Sequence, residues 1–139
     1  MSKARKQRNK TQEEIPCIVF LSSNETKNEK FAEEKENRQF KYINEYAKAH
    51  GLIPVRIVRR GCLSQNVCNQ IFERCINLMH RGRTRAIVVA NMESISSSIY
   101  DAYKKIGLVN ENGFKIFSVD EGELRFNLKG IKEAKHFEE

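Results

Sequence analysis

The sequence predicts an α/β domain, a three-layer α/β/α sandwich around a mainly parallel sheet of four or five strands. Short apolar runs alternate along the chain with longer segments of helical periodicity. The run Ala86–Ala90 (AIVVA) has no polar alternation, which indicates a strand that is buried on both faces, as parallel strands are. A glycine follows each helical segment, and glycine commonly ends helices.

The apolar runs give the strands in chain order. Four of them are Pro16–Leu21, Ile53–Val58, Arg85–Ala90 and Phe114–Val119. Helical connections between these strands favour right-handed crossovers and therefore a parallel arrangement. Leu124–Leu128 follows the turn Asp120-Glu121-Gly122 and is predicted to add a fifth, antiparallel strand at the edge.

Three helices are predicted between the strands: Glu36–Ala49, Val67–Arg81 and Ser96–Ile106. The inner face of the first carries Phe40, Ile43, Tyr46 and Ala47, and that of the second carries Val67, Ile71, Cys75, Leu78 and Met79. Ser96, Ser97 or Ser98 is suited to begin the third helix as its N-cap. The charged, weakly periodic segment Glu25–Glu34 is expected to be a flexible loop running into the first helix.

The net charge of +7 is concentrated at the beginning of the chain. Residues 1–14 are predicted to be a disordered basic tail, 15–129 a folded domain and 130–139 a C-terminal tail. Five cations lie within the first ten residues: Lys3, Arg5, Lys6, Arg8 and Lys10. They are suited to bind nucleic acid phosphates by counterion release, although a solubilising leader has the same composition.

Composition also excludes several classes of protein. No apolar run approaches the roughly 20 residues that a membrane-spanning helix needs, and the charged start is unlike a signal peptide. We therefore expect a cytoplasmic protein without a membrane partner. The four cysteines form no C-x-x-C pair and the chain has three histidines, so no metal site is expected. No glycine-rich phosphate loop occurs, and no cofactor is expected.

Polar residues follow the first three strands at the point where each strand ends. Ser22-Ser23 follows the first strand, Arg59-Arg60 the second, and the segment Asn91–Ser98 the third. The carboxyl ends of parallel strands meet at one edge of a sheet, where ligands usually bind. This edge is therefore the predicted functional site.

The succession of motifs resembles the catalytic domain of the serine recombinases, the resolvase and invertase family. The quoted segments are Ile18–Ser23 (IVFLSS), Val58–Ser64 (VRRGCLS), Asn69-Gln70, Met92–Ser98 (MESISSS) and Val119–Gly122 (VDEG). In the family these places read Y-x-R-x-S-T, V-D-E-G-I-S-G, R-P, L-D-R-L-S-R-S and a late V-D-E-G. Gln39, Tyr46-Ala47 and Gly51 match its next helix. The resemblance covers about Pro16–Leu128 and implies a resolvase-like sheet with the strand order second, first, third, fourth.

The resemblance also implies a chemistry, in which a serine attacks a DNA phosphodiester and arginines surround the phosphate. The nucleophile falls on Ser22. The four motif arginines are replaced by Phe20, Asn69, Ser94 and Ser97, whereas the acidic position persists as Glu93 and the aspartate position is Arg59. Phosphoryl transfer depends mainly on positioning and on charge stabilisation, so cleavage is predicted to be lost.

Three interpretations of the strand-end pocket stay open. Besides Ser22, the predicted pocket residues are Ser23, Arg59, Arg60, Asn69, Asn91, Glu93, Ser94 and Ser97. A cleavage-inactive domain would be a DNA-associated or regulatory module, associated with a mobile element. An active strand transferase would need relocated cations to rebuild the phosphate pocket, for which Arg59, Arg60 and Lys27 are available. A small-ligand binder would use the pocket bordered by Ser22, Asn91, Ser94 and Ser97.

The partners follow from the same resemblance. The family's long dimer helix and DNA-binding domain would come after the core, where about ten residues remain after Leu128. We therefore expect the partner to be either DNA, bound weakly and without sequence preference, or a recombinase-like protein. The sequence leaves the oligomeric state open, and a dimer is one of the alternatives.

Overall fold

The computed structural model describes residues 14–127. The strands are β1 (Ile15–Leu21), β2 (Leu52–Arg59), β3 (Ala86–Val89), β4 (Lys115–Ser118) and β5 (Gly122–Leu124). The helices are α1 (Glu29–His50), α2 (Gln65–Arg81), the short α3 (Met92–Ile95) and α4 (Ile99–Glu111). Within these residues, no helix is long and apolar enough to cross a membrane.

The five strands form one sheet in the order β2-β1-β3-β4-β5. β1 pairs in parallel with β2 and β3, and β3 pairs in parallel with β4. β5 runs antiparallel to β4. The predicted strand order and the antiparallel edge strand are both confirmed.

The side chains of the central strands alternate between two apolar layers. Ile18 and Phe20 of β1 pack against α2 and α4, where the Phe20 ring meets that of Phe72 edge-on with centroids 5.8 Å apart. Val19 and Leu21 face α1 on the other side of the sheet. Helices therefore cover both faces, which explains the unbroken apolar runs that predicted these strands.

The first helix begins earlier than its periodicity predicts. Segment Glu25–Glu34 was expected to be a loop, but α1 starts at Glu29, and the Asn28 side chain caps it by accepting a hydrogen bond from the N–H of Phe31 at 3.1 Å. In the first two turns only Ala32 and Glu36 are buried, so these turns have no apolar stripe from which a helix could be predicted. Phe40, Ile43, Tyr46 and Ala47 do pack against the sheet, as predicted.

Three further predictions about these elements are corrected, one on a buried face and two on boundaries. On the inner face of α2, Cys75 and Met79 are buried as predicted. The other predicted residues, Val67, Ile71 and Leu78, are only partly buried, and Cys68, Phe72 and Ile76 are buried instead. α4 does not span Ser96–Ile106; it starts at Ile99 after the N-cap Ser98 and passes through Gly107, because Val109 continues its buried stripe. β5 covers Gly122–Leu124 instead of Leu124–Leu128, and Leu128 lies outside the described residues.

Candidate active site at the carboxyl edge of the sheet

Ser22 lies immediately after β1 and is 1% exposed. The side chain of Gln39, on α1, hydrogen-bonds to the backbone of Ser22 as a neighbouring strand would. Its Oε1 accepts from the Ser22 N–H at 3.0 Å, and its Nε2 donates to the Ser22 carbonyl at 2.8 Å. The same Nε2 donates to the hydroxyl of Ser94 at 3.3 Å. Gln39 therefore closes the end of β1 and ties it to the segment that follows β3.

Arg60 is the cation that reaches the serine. Its backbone N–H extends the sheet by donating to the Leu21 carbonyl at 3.0 Å. The residue as a whole is 3% exposed. Its side chain turns inward and donates through Nη1 to the Ser22 hydroxyl at 3.2 Å. Nη1 also donates to Asn24 Oδ1 at 2.6 Å, and Nε donates to the Leu63 carbonyl at 2.9 Å. One guanidinium group is thus shared among three acceptors.

Asn24 is a site residue that the sequence did not single out. Its backbone has a φ of 63°, in the left-handed region that asparagine tolerates better than most residues. From there its side chain accepts from Arg60 and donates through Nδ2 to the Glu93 carbonyl at 2.8 Å. An asparagine directly after a strand and two serines was the available signal for such a turn.

Asn91 and Ser94 form the third part of the site. Asn91 follows β3 and caps α3: its Oδ1 accepts from the Ser94 N–H at 2.9 Å and from the Ser94 hydroxyl at 3.1 Å. Ser94 is 1% exposed and also accepts from Gln39. The polar side chains from the ends of β1, β2 and β3 therefore join in one network, which is buried at Ser22, Arg60 and Ser94.

A buried carboxylate supports the loop that carries Arg60. Glu36 of α1 is 1% exposed, accepts from the Gly61 N–H at 2.7 Å and pairs with Arg59 at 3.6 Å. Burial raises the pKa of Glu36, although the Gly61 hydrogen bond and the Arg59 charge oppose that rise. A glutamate within the inner stripe of a helix was the sequence signal for this buried carboxylate.

A second buried cation lies beyond Ser22, between α2 and α4. Lys105 is 8% exposed, donates to Asn69 Oδ1 and to the Ile95 carbonyl at 3.3 Å, and pairs with Asp101 at 2.8 Å. Burial would raise the pKa of Asp101, but hydrogen bonds from Lys105 and Ser96 lower it below its ordinary value. Burial likewise raises the pKa of Cys68, against the opposing charges of Arg60 and Lys105 and a hydrogen bond with Ser22.

The structure brings some of the predicted site residues together and separates others. Ser22, Arg60, Asn91 and Ser94 share the network. Asn69 belongs instead to the Lys105 cluster, and Arg59 turns to Glu36.

The other predicted residues lie at the margin or beyond the described chain. Ser23 accepts from the Glu25 N–H at 3.3 Å as a turn residue, Glu93 contributes its backbone carbonyl, and Ser97 is exposed. The five leader cations Lys3, Arg5, Lys6, Arg8 and Lys10 lie outside the described residues.

Solved structures of other proteins share this architecture. The N-terminal catalytic domain of TP901-1 integrase matches with a TM-score of 0.64 at 17% identity, over 77% of this chain and 79% of that one. A resolvase family site-specific recombinase from Streptococcus pneumoniae matches with a TM-score of 0.62 at 10% identity, over 78% and 74%. The C-terminal catalytic domain of ISC1926 TnpA, an IS607-like serine recombinase, gives 0.55 at 15%, over 76% and 70%.

These likenesses lie between 10 and 17% identity and therefore concern the fold. No protein-family model matches the sequence, and no curated protein matches it significantly. The resemblance inferred from the motifs is confirmed at the level of architecture. The chain has the fold of the serine recombinase catalytic domains.

Proposed function

We propose that this chain is a recombinase-type domain that does not cleave DNA and acts as a DNA-associated or regulatory module. The observation that carries the proposal is the burial of Ser22 together with its contact with Arg60. Its side chain is buried, and the guanidinium group that touches its hydroxyl is also bound to Asn24 and Leu63. A nucleophile must approach within about 3 to 3.5 Å of the reacting phosphorus, in line with the leaving group, and a buried hydroxyl has no such approach.

The surrounding charges support the same proposal. The positions that resemble the family's four motif arginines hold Phe20, Asn69, Ser94 and Ser97, none of which carries a positive charge. Losing one preorganised donor costs about 100 to 1000-fold in rate, so several losses would abolish turnover even if they do not add. In addition, no buried side-chain polar atom among residues 14–127 lacks a hydrogen-bond partner. The buried polar side chains of this edge are therefore all paired within the protein.

The partner class follows from the fold and the charge. We infer DNA as the partner because the solved neighbours are an integrase and two recombinases, one of them site-specific. The five cations near the start of this chain are suited to the phosphates of such a partner. A domain of this kind would attach to DNA, or to a recombinase-like protein, and would influence recombination without performing the cleavage.

One contact favours a second candidate, an active strand transferase. Arg60 Nη1 lies 3.2 Å from the Ser22 hydroxyl, so a guanidinium group has reached the serine from a position that the family does not use for it. If the segment from Arg60 to Leu63 opened, Arg60 would be placed to contact a phosphate bound at Ser22. This candidate requires the bonds from Arg60 to Asn24 and to Leu63 to break first.

Detection of a covalent protein–DNA adduct distinguishes the two candidates. The chain is incubated with supercoiled plasmid and with nicked duplexes that trap a cleaved strand, then denatured and separated on a gel. An active serine recombinase serves as the positive control. We expect no adduct from the wild type. An adduct that forms in the wild type and in Ser23→Ala but disappears in Ser22→Ala would establish the transferase instead.

A further inference from the structure

A cleft of about 480 Å³ opens at the outer edge of the sheet, between β2 and α2. β2 is the edge strand, so its outer side has no neighbouring strand. Val58, Ile71 and Leu78 give the cleft a partly buried apolar lining, and the exposed Arg56 and Arg74 line it as well. The cleft therefore combines apolar contact area with two positive charges.

The register of β2 places Arg56 on the same face of the sheet as α2. Arg56 is in register with Ile18 and Val58 is in register with Phe20. Both of these β1 residues belong to the apolar layer that packs against α2 and α4. Residues in register on neighbouring strands lie on one face, so Arg56 and Val58 share the face that α2 covers.

One flank of α2 lies toward this edge. Ile71, Arg74 and Leu78 are three and four residues apart and therefore lie on the same side of the helix. The other flank carries His80, whose ring hydrogen-bonds at 2.8 Å to Asn112 at the end of α4. Arg74 is therefore on the side of α2 that lies away from α4 and toward β2.

The buried thiol of Cys75 shows that the two arginines are near each other. Burial raises the pKa of Cys75 to about 12, and the positive charges of Arg56 and Arg74 both oppose that rise. The two guanidinium groups therefore act on the same thiol, one from the strand and one from the helix.

Neither guanidinium group is paired within the fold. Among residues 14–127, no carboxylate forms an ion pair with Arg56 or Arg74. From Gly51 to Arg85 the sequence contains seven arginines, no lysine and a single acidic residue, Glu73. Arginine is enriched in protein–protein interfaces, and this surface has the positive charge to bind an acidic partner.

The outer side of β2 also offers backbone hydrogen-bonding groups. Pairing with β1 is regular over Arg56–Arg59, and the Arg60 N–H donates to the Leu21 carbonyl at 3.0 Å. Backbone groups alternate in direction along a strand, so the N–H and C=O groups of Ile57 and Arg59 point away from β1. Addition of a strand to such an edge is a common mode of peptide recognition.

The exposed side chains distinguish between three kinds of partner. Ile53, Val55 and Ile57 are 41, 60 and 45% exposed, and the phosphates of a nucleic acid would leave this apolar area in contact with water. A second copy that paired through β2 would bring the arginines of the two strands together, and like charges on paired strands are destabilising. An extended protein segment that alternates acidic with apolar residues fits both features. Its carboxylates would face Arg56 and Arg74, and its apolar side chains would lie beside Ile57 on the other face.

We propose that the cleft between β2 and α2 binds an extended, alternately acidic and apolar segment of a partner protein, which adds a strand to the sheet beside β2. Arg56 and Arg74 bind its carboxylates, and the backbones of Ile57 and Arg59 bind its own backbone. This surface goes beyond the proposed function, because it gives the folded domain a protein partner and requires no DNA.

The first test measures the fluorescence anisotropy of a labelled peptide that alternates glutamate with valine over about ten residues, enough to span β2. The peptide is titrated with the full chain. The cleft variant combines Arg56→Gln with Arg74→Gln. A matched control combines Arg38→Gln with Lys41→Gln, which removes the same charge from exposed positions of α1, on the other face of the sheet. Loss of two exposed ion pairs should weaken binding by about tenfold, and the control should stay within about twofold of wild type. A peptide that alternates lysine with valine should not bind.

Amide hydrogen exchange, followed by NMR, distinguishes strand addition from attraction between charges alone. Saturating peptide should slow the exchange of the Ile57 and Arg59 N–H groups by about tenfold. The Val58 N–H faces β1 and should exchange at the same rate with and without peptide. Unchanged exchange at Ile57 and Arg59 would overturn the proposal.

The binding assay can also refute the proposal. Absence of binding of the acidic peptide at about 1 mM would overturn it, as would equal weakening in the cleft and control variants. If the double variant does not fold, Arg74→Gln must by itself weaken binding by about threefold. Duplex DNA that binds the wild type but not the cleft variant, while the peptide binds neither, would identify a nucleic acid as the ligand instead. Self-association in sedimentation that Ile57→Asp abolishes would identify a second copy of the chain.

Discussion

Replacing Gln39 tests whether its side chain closes the end of β1. Gln39→Ala removes the two hydrogen bonds to the Ser22 backbone and the one to Ser94. Ser22 is 1% exposed, so its N–H and carbonyl would be left largely unpaired. A buried polar group without a partner costs about 1 to 3 kcal/mol. Gln39 is half-buried and water would enter in part, so we expect a loss of about 2 to 4 kcal/mol.

The assay is urea denaturation followed by circular dichroism, with Gln70→Ala as the matched control. Gln70 is exposed on α2, so this change alters helix propensity alone and should cost less than about 0.5 kcal/mol. Gln39→Met, which keeps the length without the amide, should fall with Gln39→Ala. Equal stabilities for Gln39→Ala and Gln70→Ala would show that Gln39 does not hold the site.

Two further predictions concern single side chains. Ser98 caps α4 by accepting a hydrogen bond from the Asp101 N–H at 3.3 Å. Thermal denaturation should therefore show a loss of about 1 kcal/mol of stability in Ser98→Ala and no loss in Ser97→Ala, whose side chain is exposed. Equal effects of the two changes would contradict the assigned start of α4. Because burial raises the pKa of Glu36, its charge opposes folding above that pKa and this penalty fades as pH falls toward the ordinary value of 4.5. The free energy of unfolding of Glu36→Gln should therefore be at least as large as that of the wild type at pH 7, and the difference between the two should shrink at pH 4. A variant that is less stable than wild type by more than about 1 kcal/mol at pH 7 would refute the predicted destabilising effect of the Glu36 charge.

The architecture was predictable because the core follows simple patterns. β1 and β3 are covered by helices on both faces, so their apolar runs are continuous and easily recognised. Parallel strands end at one edge, which is why Ser22 and Asn91 could be expected to meet. The start of α1 was missed because its first two turns are mostly solvent-exposed, and exposed turns carry little hydrophobic signal.

The site itself was predictable only in part. Arg59 and Arg60 are adjacent, and composition does not tell which of them turns inward. The sheet decides this, because Arg59 is in register with Leu21 and faces Glu36, while Arg60 follows the strand and reaches Ser22. Lys105 was also missed, although a lysine spaced with Ala102 and Val109 along the buried stripe of α4 signals a buried cation.

Mass spectrometry of the peptide that carries Ser22 tests the central claim most directly. The full chain is incubated with the trapping DNA duplexes, digested with a protease and a nuclease, and searched for a nucleotide joined to serine through a phosphodiester. The burial of the Ser22 side chain and the commitment of Arg60 to three acceptors predict that Ser22 is recovered unmodified. A nucleotide attached to Ser22, and absent from Ser23, would contradict the account and identify an active strand transferase.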